Sequence, residues 1–318
     1  MNNLLINISI LCLSICHCFG QTWAELKIEP DAIMTYTFND TLHLPVFLVE
    51  TMEEKELFYG VKLQMDVCND QVCLPLEVNL FWDLLGNFHH FSREKNIHFT
   101  KFDHDRFVDN DYKKLQEILI DTLSVLRDYE VEELLDKRPN KYSVKVDAVT
   151  KPTAPLFSNV TVPGALYTVY TLWHIVNGNI KQELRKYLDE NYLKRKWALY
   201  FMTSSNPDYQ IYFLKYGSSE DIKRYEDQIF KLIFAEDDYV PHNAIDALGD
   251  KFWSTPDKYN PVLTRITALK SHIINRILNI ISMPNNQTKA ILTTFLKSDR
   301  VSDNQKELIL KICENEKQ

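Results

Sequence analysis

A chain of 318 residues has room for about two domains, and its 45% hydrophobic and 25% charged content is that of an ordinary globular protein with a sizeable core. The net charge of -8 disfavours nucleic acid as a partner, because neutralising phosphates takes clustered Lys and Arg. Only 7 glycines occur, and neither G-x-G-x-x-G nor G-x-x-x-x-G-K-[ST] is present, so Rossmann and P-loop nucleotide sites have no support.

The chain opens on an apolar, uncharged run from Leu4 to Cys18. With small residues at Cys18 and Gly20, it reads as a secretory signal over 1–20, cleaved before Gln21, although no Lys or Arg precedes the run. The expectation is an exported protein, periplasmic or secreted, with no integral membrane span once the signal is gone. Three cysteines then remain, Cys68, Cys73 and Cys313. In an oxidising compartment the close pair tends toward a disulfide, whereas Cys313 reads as a lone thiol on a helix.

Residues 21–82 read as a β-rich domain. Leu26 and Ile28 alternate with polar residues, as do Leu42, Leu44, Val46 and Leu48, then Val61, Leu63, Met65 and Val67, then Leu74, Leu76, Val78 and Leu80. Such period-two patterning marks half-buried strands. Asn69-Asp70-Gln71 supplies turn chemistry between the last two, predicting a hairpin that sets Cys68 opposite Cys73.

Residues 83–178 form a mixed region. Tyr112, Leu115, Ile118, Leu119 and Leu123 have helical spacing, with Asp109 or Asn110 as cap. A further helical turn is expected at 131–135, before Arg138-Pro139-Asn140 breaks the chain. Alternation at Tyr142, Val144, Val146 and Ala148 predicts a strand, and Pro152 and Pro155 then force an extended loop over 150–163. Pro163 can open a helix running to Asn177.

Residues 179–318 read as helical, with helices over 180–202, 206–216, 219–235, 240–251, 258–282, 286–297 and 302–315. Breaks fall at Asn206-Pro207, Gly217-Ser218, Pro241, Pro256, Pro284-Asn285 and Asp299. Short helices in series make a bundle or solenoid whose surface suits protein partners. The whole is therefore α+β.

Two short motifs bear on chemistry. The stretch Asp147-Ala148-Val149-Thr150-Lys151-Pro152-Thr153 resembles the flavin-attachment motif of the FMN-binding domain family, which reads Asp-x-x-Ser/Thr-Gly-Ala-Thr. The resemblance implies FMN esterified to Thr153, with Asp147 and Thr150 shaping the loop. Lys151 and Pro152 replace the family's Gly and Ala, and Lys151 can pair with phosphate. The helix that follows would pack beside the loop, with Gly164 allowing close approach and Tyr167 and Thr168 within reach of the flavin. The same stripe, with Tyr170, Trp173 and His174, also reads as helix core. The function implied is an exported redox or electron-transfer protein, or a relative of one without flavin. Its rival is a non-enzymatic helical interaction module.

The second motif, Val67-Cys68-Asn69-Asp70-Gln71-Val72-Cys73-Leu74-Pro75, resembles the immunoglobulin-like N-terminal domain of the disulfide reductase DsbD. That implies an immunoglobulin-like fold for the β domain, and either a redox pair or a structural staple at Cys68 and Cys73. A redox partner in the exported compartment would follow.

Histidines and carboxylates gather at His89, His90, His98, Asp103, His104, Asp105 and Asp109, residue types that ligate transition metals, though their spacing fits no metal-binding helix. No metal is therefore assigned. Asn39-Asp40-Thr41, Asn159-Val160-Thr161 and Asn286-Gln287-Thr288 match the glycosylation sequon.

Overall fold

A computed structural model describes residues 22–66, 75–101, 105–134 and 155–314. The expected signal at 1–20, the cysteine pair and the strand at 142–149 fall outside them. The chain divides into two compact units, Met1–Glu190 and Asn191–Gln318. The first holds an antiparallel sheet and the second is helical, so the α+β class and the order of its parts are as expected.

The sheet of the first unit is built from β1 (Leu26–Ile28), β2 (Met34–Phe38), β3 (Leu42–Thr51), β4 (Leu57–Met65), β5 (Leu76–Trp82) and β6 (Phe88–Ser92). Its order is β1-β3-β4-β5-β6, with β2 also paired to β3. β1 lies along Val49–Thr51 and β2 along Leu42–Val46, so the two read as one interrupted edge strand beside β3. The turn from β2 into β3 uses Asn39 and Asp40, both at positive φ, a backbone that short polar residues tolerate. All described connections join neighbours in one meander, whereas an immunoglobulin-like domain has two facing sheets joined by Greek-key crossovers.

β2 and β6 are strands beyond those the sequence predicted, and β6 lies past the expected end of the β domain at 82. β4 and β5 do form the expected hairpin, with Val61 opposite Leu80, Leu63 opposite Val78 and Met65 opposite Leu76.

The sheet buries both faces. One carries Leu44, Val46, Leu48, Tyr59, Val61, Leu63, Leu80 and Trp82, all buried. The Trp82 indole N–H donates to the Val176 carbonyl at 3.0 Å and so ties this face to α2 (Leu166–Asn177). The other face carries a smaller core of Val49, Phe58 and Phe81, packed by Trp23, Leu26, Ile28 and Phe47.

α1 (Asp109–Ile120) packs on β6 and α2, and α3 (Ile180–Asn191) follows α2. α1 and α2 are joined through backbone carbonyls. Trp173 Nε1 donates to Asp121 O at 2.9 Å, and Asn177 Nδ2 donates to Leu119 O at 2.9 Å. The expected helix start at Pro163 is corrected. Val162-Pro163-Gly164-Ala165 is a turn closed by Ala165 N on Val162 O at 3.0 Å, and α2 begins only at Leu166.

The second unit contains α4 (Ala198–Thr203), α5 (Pro207–Tyr216), α6 (Ser219–Arg224), α7 (Glu226–Leu232), α8 (Val240–Trp253), α9 (Pro256–Leu263), α10 (Ser271–Ile280), α11 (Asn286–Leu296) and α12 (Asp303–Glu314). Three long helices expected from the sequence are each broken. The first stops at Asn191, and Lys196 then takes a positive φ of 55°. Tyr225, at φ −108° and ψ 22°, separates α6 from α7. The run over 258–282 contains Pro261 and ends its first helix at Leu263. Side-chain caps begin α5 and α11: Asn206 Oδ1 accepts from Asp208 N at 2.9 Å, and Asn285 Oδ1 accepts from Thr288 N at 2.8 Å. No helix among the described residues is long and apolar enough to cross a membrane.

Candidate functional site

Of the residues that the flavin resemblance singles out, Asp147, Thr150, Lys151 and Thr153 lie outside the described residues, as do Cys68 and Cys73. Gly164, Tyr167 and Thr168 can be placed. Gly164 has φ 75° and occupies the third position of the turn before α2, where Pro at the second position and positive φ at the third define a type II turn. Thr168 is buried on the packed side of α2. Tyr167 is half-buried; burial, and then Glu132, raise its hydroxyl pKa. Burial likewise raises that of Tyr170, followed by Glu130, Glu132 and Glu133. Acidic groups therefore surround the tyrosines that would meet a flavin, a poor setting for a phosphate. Trp173 is engaged in packing, and His174 Nε2 donates to Leu126 O at 3.0 Å. The aromatic stripe of α2 thus serves as core with satisfied polar tips.

The histidine and carboxylate cluster resolves differently. Among the described residues no three His, Cys, Asp or Glu side chains converge as metal ligands, and Asp103 and His104 lie outside the described residues. His89 and His90, however, meet: their Nδ1 atoms are 2.8 Å apart. Adjacent residues of a regular strand point to opposite faces. Here the ladder shifts register between Phe81 and Trp82, with Phe81 opposite His90 and Trp82 opposite Phe88. His89 is the extra residue of a bulge, which brings both imidazoles to the face of the smaller core. His90 stacks on Phe81 with centroids 4.6 Å apart, and His89 lies 4.9 Å from Phe58. Burial, reinforced by His89, holds the His90 pKa down at about 3.

Backbone groups on the outer edge of β6 are satisfied from α1. The buried Gln116 donates through Nε2 to His89 O at 2.8 Å and accepts at Oε1 from Phe91 N at 3.3 Å. Both ends of one amide are used, so the bulge is held on two sides.

A cleft of about 290 Å³ lies within the helical unit. Ser219, Ile222 and Lys223 of α6, Glu226 of α7 and Lys258 of α9 line it, together with Ala247, Leu248, Lys251 and Phe252 of α8. α8 is kinked beside it, because Gly249 takes φ 68° and ψ 174°. The kink frees the Ile245 carbonyl, which accepts the Trp253 indole N–H at 2.9 Å. Lys258 reaches both Glu226 oxygens, at 2.7 and 2.8 Å. Lys223 and Lys251 are exposed and have no ion-pair partner among the described residues. The cleft thus joins a floor of Ile222, Leu248 and Phe252 to a rim carrying two uncompensated cations. Sequence reading missed it because its walls come from four helices; Gly249 inside a predicted helix was the one local signal.

Fold and sites together define an α+β protein with a meander sheet and a helical unit bearing a cationic cleft. Comparison with known proteins finds no matching family model, no similar curated protein and no similar solved structure.

Proposed function

We propose that the helical unit is a non-enzymatic binding module whose cleft takes a carboxylate or phosphate carried on an apolar body. The observation that carries this reading is the pair Lys223 and Lys251 on the rim of an apolar-floored cleft, with no carboxylate assigned to them. Their neighbour Lys258 is neutralised by Glu226 and so fixes the wall without attracting the ligand. A matched set of octyl compounds tests this by calorimetry. Octanoate and octyl phosphate should bind saturably, and octylamine should not. Replacing Lys223 and Lys251 together by Gln should weaken octanoate roughly 10-fold, about 1.4 kcal/mol. Equal binding of octylamine, or no change in the double variant, overturns the reading.

A redox function stays as the second proposal and rests on sequence. Its support is the Asp147, Thr150 and Thr153 pattern, with FMN on Thr153 and export to an oxidising compartment. Flavin absorbance remaining with the denatured chain tests it. A disulfide between Cys68 and Cys73, which lie outside the described residues, belongs to the same proposal and rests on their spacing in the sequence.

A further inference from the structure

We propose that His89 and His90 form a two-coordinate site for copper(I), with the two Nδ1 atoms as its ligands. The bulge supplies the geometry. It turns two sequence neighbours to one face and brings Nδ1 to Nδ1 at 2.8 Å, as a proton-bridged pair. Gln116 fixes the backbone on both sides of the pair. His90 is anchored by its stack on Phe81, whereas His89, the more exposed of the two, packs 4.9 Å from Phe58.

The ion follows from the donor count. No third His, Cys, Asp or Glu joins the pair among the described residues. Zinc takes four ligands in a structural site and at least three from protein in a catalytic one, and copper(II) takes a tetragonal set. Copper(I), a filled-shell monovalent ion, is satisfied by two nitrogens in a line. The surroundings agree, since Phe58 and Phe81 flank the rings and a single charge costs less to desolvate than a double one.

Binding replaces the shared proton by the metal. Two nitrogens on opposite sides of one ion stand roughly 4 Å apart at bond lengths near ~2 Å, so the pair must open. The ring that donated through Nδ1 takes its proton at Nε2 instead. Two N–Cu bonds form, one N–H bond moves within the ring, and no electron is transferred. No net proton is released.

Thiols outcompete imidazole for copper(I). The test therefore uses the full chain with its 6 cysteines replaced by Ser. Should that variant not fold, the unsubstituted chain with alkylated thiols takes its place. Copper(I) is titrated anaerobically against a bathocuproine chelator. One equivalent should bind, with X-ray absorption showing two nitrogen neighbours. His89→Gln and His90→Phe should each lower affinity at least 10-fold, the second keeping a ring stacked on Phe81, with melting temperatures close to the parent. Binding that survives both substitutions, a spectrum with three or four donors, or zinc bound as tightly as copper(I) overturns the proposal.

Discussion

The two units tie down their buried indoles over different distances. In the sheet unit the bonds span long stretches of chain: Trp82 reaches Val176, Trp173 reaches Asp121, and Gln116 reaches His89. In the helical unit the corresponding indole, Trp253, reaches only back to Ile245, across a kink in its own helix. Helix contacts there join near neighbours, such as α4 with α5 and α7 with α8, as well as helices further apart, such as α5 with α8 and α9 with α11. Both units also use long-range polar pairs, since in the helical unit Gln305 reaches Ser271 O and Thr288 reaches Asn260; the difference lies in the indoles, which bridge distant segments only in the sheet unit.

The sharpest way to break that comparison is Trp82→Ala. Trp82 is fully buried and its indole holds the Val176 carbonyl. The substitution removes a large core side chain and leaves a buried acceptor unpaired. The expected loss is about 3–5 kcal/mol for the sheet unit, read by chemical denaturation. If the units are separate in their energetics, amide exchange of residues in the helical unit should show it still unfolding at its parental midpoint.

A smaller effect sharpens the same point. Gln116→Leu keeps the apolar volume of a buried helix position but orphans His89 O and Phe91 N. Unpaired buried groups cost about 1–3 kcal/mol each, partly offset by the added apolar contact, so a loss of roughly 2–3 kcal/mol is expected. Amide exchange at Phe91 should accelerate well beyond that of the other β6 amides. An unchanged Phe91 rate would show that the bulge is held by the sheet alone.

What the sequence made legible follows the same divide. Alternation at Leu42–Leu48, Val61–Val67 and Leu74–Leu80 marked three strand regions, because each strand has one strongly apolar face. β6 escaped because Phe88-His89-His90-Phe91 breaks the alternation at the bulge, and for that reason the histidine pair could be seen as neighbours but not as partners. Helical periodicity located nearly every helix of the second unit but ran through the breaks at Tyr225 and Leu263, where the apolar stripe continues although the backbone turns. The cleft needed four helices brought together, and no single segment carries its pattern.

The smallest expected effect concerns the kink in α8. Gly249 sits within α8 at φ 68° and ψ 174°, a conformation that is essentially confined to glycine. A Cβ placed there would meet nothing within 4 Å, so any cost of Gly249→Ala is conformational rather than steric. Ala can keep the kink at a cost of about 1–3 kcal/mol. It can also straighten α8, but then Trp253 loses the Ile245 carbonyl to the regular helix ladder, and Leu248, Lys251 and Phe252 leave the cleft wall. Denaturation and octanoate binding together separate the two outcomes. A loss of about 1–3 kcal/mol with binding retained means that the strain is stored in place. Parental stability with binding abolished means that the kink exists for the cleft. Parental stability with parental binding would show that the kink matters to neither.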